Sequence, residues 1–112
     1  MRITLPYPPS VNHYYRHHNG HVIISKHGRE YRKLVVDLMR DIGQPMQGRL
    51  SVKIDMHPPD ARRRDVDNVL KPLLDALQHG RAFNDDSQID RLTIARMPPI
   101  KYGYTVVEID VL

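Results

Sequence analysis

The chain contains no cysteine and no tryptophan, a single phenylalanine, and only two glutamates, Glu30 and Glu108, beside eleven aspartates. Without cysteine there can be no disulfide, no thiolate zinc site and no thiol nucleophile, a composition that fits a reducing cytoplasm. No apolar run approaches the ~18 residues of a membrane span. Met1-Arg2 leads straight into a strand-like segment instead of a leader peptide, so the expectation is a cytoplasmic protein. At 112 residues the chain has room for one domain, residues 1–112. A chain of that size buries ~60–70% of the surface its unfolded form exposes. The scarcity of glutamate is itself informative. Solvated helix faces use glutamate freely, so the aspartates are expected in loops, caps or metal ligation. The net charge of +4 makes polyanions plausible partners.

What is present reads as an α+β domain. Arg2–Leu5 alternates polar and apolar residues as a half-buried strand does, and Pro6, Pro8 and Pro9 stop it. Ser10–Gly20 reads as an exposed loop, and His21–Ser25 as a short second strand. Ser25 is a candidate N-cap for a helix that ends at Gly43. Within it Tyr31, Leu34, Val35, Leu38, Met39 and Ile42 form an apolar stripe. Arg29, Arg32 and Lys33 fall on its wet face.

Arg49–His57 alternates strictly, with Leu50, Val52, Ile54 and Met56 on one side. A second helix is expected from about Asn68 to Gln78, closing at Gly80. Pro72 is tolerated there only in the first turn. Ile89–Met97 and Tyr104–Leu112 complete the order β-β-α-β-α-β-β: a mixed or antiparallel sheet with two helices on one face.

Seven of the eleven aspartates lie between Asp60 and Asp90. Arg62-Arg63-Arg64 runs directly into Asp65-Val66-Asp67-Asn68, then Lys71, and later Asn84-Asp85-Asp86. Residues i and i+2 of extended chain point the same way, so Asp65 and Asp67 can face one point. Crowded carboxylates raise each other's pKa unless a cation sits between them. An oxygen-only set suits Mg²⁺, which accepts a few carboxylates plus water and phosphate oxygens. Lys71, four residues after Asp67, falls on the same helical face and can stabilise charge on a scissile phosphate. Asp86, or Asp85, can close the metal site from a neighbouring connection, and the arginines can bind flanking phosphates. The same residues also have a bland use. Asp67 or Asn68 can cap the helix, Asp65 can pair with an arginine, and Asp85-Asp86 can form an ordinary turn. Residue chemistry leaves both readings open.

A second candidate is Asn12-His13-Tyr14-Tyr15-Arg16-His17-His18-Asn19-Gly20-His21. Tyrosines among basic residues can stack on unpaired bases while the basic groups hold phosphates. Six of the seven aromatic residues are tyrosine, which suits wet surfaces better than a dry core. Without cysteine or a clear histidine spacing, zinc is the weaker reading of this stretch.

These segments together resemble a known family. Leu5-Pro6-Tyr7-Pro8-Pro9-Ser10-Val11-Asn12-His13-Tyr14-Tyr15-Arg16 looks like its opening motif. Tyr31-Arg32, Pro59-Asp60 with the arginine run, Asp65-Val66-Asp67-Asn68, Lys71, Asp75-Ala76-Leu77 and Asp85-Asp86-Ser87-Gln88-Ile89 follow in order. The set is similar to the RusA family of Holliday junction resolvases and covers nearly the whole chain. The resemblance implies a homodimeric, Mg²⁺-dependent endonuclease that resolves four-way DNA junctions by paired nicks. By motif, Asp65, Asp67 and Asp86 match the family's essential acids and Lys71 its essential lysine, with Asp85 beside them in a less defined role. Ser10–Arg16 (with Ser10, Asn12, His13, Tyr14, Tyr15 and Arg16) and Arg62–Asn68 match regions implicated in DNA binding. Two departures stand out: Pro72 directly after the lysine, and Ala61 interrupting what can be a longer basic run. The rivals are a non-catalytic nucleic-acid-binding protein and a metal-dependent nuclease acting on flap DNA or RNA.

Overall fold

Strict alternation makes the Arg49–His57 segment the spine of the sheet. In the computed structural model, which describes Met1–Leu112, it is β4 (Leu50–His57), and Leu50, Val52, Ile54 and Met56 are all fully buried on one face. Before it come β1 (Arg2–Pro6), a short helix α1 (Val11–Tyr14), β2 (Tyr15–His18), β3 (His21–Ile24) and α2 (Lys26–Leu38). After it come a 3₁₀ turn (Val66–Val69), α3 (Leu70–His79), a second 3₁₀ turn (Asp86–Gln88), β5 (Ile89–Arg96) and β6 (Tyr104–Val111). The four-stranded sheet has the order β1-β6-β4-β5. β6 runs antiparallel to both neighbours, and β5 pairs parallel with β4. A parallel pair needs a long crossover, and α3 supplies it. The expected α+β class, with a mixed sheet carrying its two long helices on one face, holds.

One apolar core lies between sheet and helices. Leu5, Val52, Ile54, Val107 and Ile109 from the sheet meet Tyr31, Val35 and Met39 of α2 and Leu73, Ala76 and Leu77 of α3. Each fully buried aliphatic side chain contributes about 1.5–3 kcal/mol relative to an exposed one. Pro72 is the third residue of α3 and itself buried, in the first turn where it sacrifices no helix hydrogen bond. Met1 carbonyl, Arg2–Glu108 and Arg49–Asp90 tie the sheet's margins, the last bridging the β4–β5 bulge at Leu50/Ser51.

Three expectations need correction. Ser10–Gly20 is not an exposed loop. It holds α1 and β2, and β2 pairs with β3 in a separate two-stranded ribbon, so the second strand lies outside the main sheet. α2 stops at Leu38 instead of running to Gly43. Tyr31, Val35 and Met39, at four-residue spacing, take the core side, while Leu34, Leu38 and Ile42 stay largely exposed. Ser25 does cap α2, its side chain accepting from the Gly28 amide at 3.0 Å. Finally, two of the tyrosines, Tyr14 and Tyr31, are core residues.

The ribbon is anchored by a close backbone approach. A Cβ at Gly28 would stand 2.3 Å from the Tyr14 carbonyl oxygen, which also accepts the Ser25 amide. Gly28→Ala should therefore push α1 off α2 and cost about 1–3 kcal/mol, the usual range for overpacking. Urea unfolding reads this directly, and an unchanged midpoint would mean that the contact yields freely.

Candidate active site and nucleic-acid interface

The aspartates divide into those with structural work and those without. Asp60 takes the Arg64 guanidinium at 2.7 Å and the Arg62 amide at 3.0 Å. The Arg64 hydrogen bond first, then the Arg62 amide, hold its carboxyl at about 2. A carboxyl below its unfolded value of ~3.9 stabilises the fold above that pH and loses the effect as pH falls toward 2. The stability gap between wild type and Asp60→Asn should accordingly narrow from pH 5 to pH 2 in thermal melts. A constant gap would show that the Arg64 pair does not order this loop.

Asp75 joins three helices. It accepts from the Tyr14 hydroxyl and from Arg32, whose Nε and Nη2 lie at 3.2 and 2.8 Å from the same oxygen. Burial, then this hydrogen bond to Asp75, raise the Tyr14 phenol well above its ordinary value. Tyr14 is thus a buried strut and not a stacking platform, and Arg32 is drawn inward from the wet face where the sequence placed it.

Asp85 caps the second 3₁₀ turn, accepting from the Ser87 amide at 3.0 Å, and Gln88 completes a capping box. Gln88 is a four-bond clamp. Its Oε1 accepts from the Asn84 and Asp85 amides, and its Nε2 donates to the Met46 and Gly48 carbonyls. The Asp86 amide donates to Gln78 Oε1 at 3.0 Å, which fixes that residue to α3. The capping-box spacing Asp85-x-x-Gln88 was visible in the sequence and identifies both roles.

Asp65 and Asp67 differ. Asp65 occupies the N-cap position of the first 3₁₀ turn, but its side chain makes no capping bond, and neither carboxylate joins an ion pair. The capping and pairing bonds are made instead by Asp85 and Asp60. Asp86 is also without an ion pair. Burial, and then Asp85, raise its carboxyl above the ordinary value, while the positive charge of Lys71 pulls it down. Asp75 adds to the rise. Asp65 and Asp67 lie at the first 3₁₀ turn and Asp86 on the second, and no three carboxylates or imidazoles form a ready-built cluster.

Lys71 sits in the first turn of α3, exposed, with its ammonium 5.5 Å from the centre of the Tyr15 ring. Asn12, Tyr15, His17 and Lys71 line one hollow of about 250 Å³. The β2–β3 ribbon thus carries the tyrosine- and histidine-rich segment onto the start of α3. A second hollow, of about 360 Å³, is lined by Ser10, His13, Arg62, Arg63, Arg64 and Asn68. The two segments picked out by sequence, far apart in the chain, form one surface.

The arginines on it are unequal. Arg64 is committed to Asp60, and Arg96 donates to its carbonyl. Arg62 lies a loose 3.7 Å from Asp60, whereas Arg63 and Arg16 have no protein partner among the ion pairs. A free guanidinium is available for phosphate. Arg63→Ala should weaken nucleic-acid binding and reduce the salt slope by about 0.9 per lost phosphate contact. Arg64→Ala should instead lower thermal stability. A slope unchanged by Arg63→Ala would place that side chain away from the ligand.

The model of the family described as endodeoxyribonuclease RusA matches residues 6–111. The chain belongs to the RusA family. Relatives named crossover junction endodeoxyribonuclease RusA include one from Shigella sonnei, 42% identical over 105 residues that cover 90% of this chain and 86% of the relative. That from Escherichia coli K12 is 41% identical over the same shares. The one from Enterobacteria phage HK97 is 38% identical and is covered to 95%, with 97% of this chain. The match spans both candidate segments, the Asp65–Lys71 turn and the Asp85–Gln88 clamp. No helix is long and apolar enough to cross a membrane.

Proposed function

We propose that this RusA-family chain is an endodeoxyribonuclease that resolves four-way DNA junctions by paired, symmetric nicks, through Mg²⁺-dependent phosphodiester hydrolysis in DNA recombination and repair. The observation that carries this reading is the position of Lys71. It follows the unpaired Asp65 and Asp67 by six and four residues, lines a hollow with Asn12, Tyr15 and His17, and lies near enough to Asp86 for its positive charge to act on that carboxylate.

The donor chemistry fits a hard dication: carboxylate oxygens only, with Asp86 crowded by Asp85 in a way that a cation would relieve. Mg²⁺ needs only one or two carboxylates, keeping waters and phosphate oxygens for the rest. Asp86 would hold it first, and Asp65 and Asp67, at the turn that delivers Lys71, would be the further carboxylates. Bound Mg²⁺ supplies Lewis-acid polarisation of the scissile phosphate and makes a bound water more acidic.

The remaining steps belong to side chains. Arg63, Arg62 and Arg16 hold phosphates flanking the cut, and Asn12, Ser10, His13 and Asn68 offer polar contacts along the same surface. Tyr15 keeps Lys71 oriented, and the Lys71 ammonium stabilises negative charge as it grows on the phosphate. Gln78 and Gln88 hold the Asp86 turn in place. A four-way junction has two symmetry-related cutting sites, which an isologous homodimer of this chain would match with two active sites.

Purified protein incubated with a synthetic four-way junction, linear duplex, flap DNA and single-stranded RNA, in Mg²⁺ or in EDTA, tests the proposal. Junction nicking that EDTA abolishes is expected. Binding without cleavage would establish a non-catalytic binding protein, and preferential cutting of flap DNA or RNA a different nuclease.

A further inference from the structure

The largest hollow of the molecule lies beside the arginine surface and has no part in the chemistry above. It runs between the Tyr7–Pro9 segment and α2, has a volume of about 560 Å³, and shares Tyr7, Pro8 and His13 with the arginine-lined hollow. We propose that this groove is a pocket for one unstacked nucleobase of the bound junction, an inference that rests on the junction reading above.

Its walls are flat and mostly apolar. Proline rings and Tyr7 form one side, and α2 forms the other with His27, Glu30 and Leu34, the last 46% exposed. Such surfaces accept any base face. The size lies within the 300–1,000 Å³ typical of small-ligand sites. The groove is also held open in advance. The Tyr31 hydroxyl at its floor donates to the Pro6 carbonyl at 2.7 Å, pinning one wall to the other. Pro6, Pro8 and Pro9 restrict the backbone of that wall. A rigid site loses little entropy on binding.

Glu30 decides what part of a nucleotide enters. It lines the groove, and its carboxylate accepts hydrogen bonds but donates none. A base edge bearing N–H groups is matched by that carboxylate, with the His27 imidazole beside it on the same wall. The phosphate of the same nucleotide falls toward His13 and Arg63, where the two hollows meet. Continuous stacking is interrupted at the exchange point of a junction, so a nucleotide there costs less to extrude than one inside an unbroken duplex.

An abasic scan of the nucleotides around the exchange point tests the pocket, using binding in Ca²⁺ by wild type and by the Glu30→Ala/Leu34→Ala double variant. Both residues are exposed on α2, so the variant should melt as wild type does. One abasic position should cost wild type roughly 5- to 100-fold in affinity, the range for loss of one stacked base. The same lesion should cost the double variant less than about twofold, with the variant already weakened on intact junction by a similar factor. Equal costs in both proteins at every position overturn the pocket and leave the junction reading standing. Failure of wild type to prefer junction over linear duplex overturns both.

Discussion

Asp86→Asn is expected to abolish junction nicking while leaving junction binding intact or tighter. Asparagine preserves the shape of the turn and the amide bond to Gln78, so the clamp built by Gln78 and Gln88 survives. What disappears is one negative charge, crowded by that of Asp85. A lost metal ligand removes several kcal/mol of transition-state stabilisation, and each 1.36 kcal/mol is a factor of ten. The expected fall is on the order of 10²–10³ in rate. Binding should not fall, because a charge that repels phosphate has gone. Asp65→Asn and Asp67→Asn should behave alike, since neither carboxylate serves a cap or an ion pair whose loss would unfold the turn. Single-turnover nicking beside gel-shift titration separates rate from affinity. Near-wild-type resolution by Asp65→Asn or Asp86→Asn would remove the metal assignment.

Lys71→Ala carries the second large effect. Its ammonium is exposed and rests near the Tyr15 ring, so truncation should change stability little. Removal of a preorganised cation from a developing phosphate charge costs about 10²–10³ in rate. The variant should also alter the pH profile in a stated direction. Lys71 lowers the Asp86 pKa, so its removal raises that pKa and deprotonation then requires a more basic solution. The acidic limb of the residual activity should move to higher pH. An unmoved limb with a lowered rate would mean that Lys71 meets substrate without acting on Asp86. Lys71→Arg should restore binding more than rate, because a planar guanidinium is not a compact ammonium.

Much of this was legible in the amino-acid sequence, and what was not has identifiable causes. Periodicity disclosed β4 and the α2 stripe because Leu50, Val52, Ile54 and Met56, or Tyr31, Val35 and Met39, meet the core at the period of their element. It did not disclose that α2 ends at Leu38. The chain must turn there toward Met46, which bridges Phe83, and apolar residues on the outgoing turn look like more helix. Polar composition hid the β2–β3 ribbon. Its stability comes from Gly28 lying against the Tyr14 backbone and from the Tyr14–Asp75–Arg32 network, contacts between residues up to 61 positions apart. Aromatic-basic interleaving named both Tyr14 and Tyr15, but only Tyr15 lies toward Lys71, and Tyr14 faces inward. Asp-x-Asp spacing could not distinguish structural from free carboxylates. Only the partners did, by assigning Arg64 to Asp60 and the Ser87 amide to Asp85.

On the proposed function, the surface around Lys71, Asp86 and the free arginines cuts four-way DNA symmetrically. Mapping the cleaved ends on all four strands of a junction with a fixed exchange point, in Mg²⁺, tests it most directly. Nicks on two opposing strands at symmetry-related positions, absent in EDTA and absent from the same sequence in linear duplex, are predicted. Equal cutting of the linear duplex, or nicks on one strand only, would contradict it.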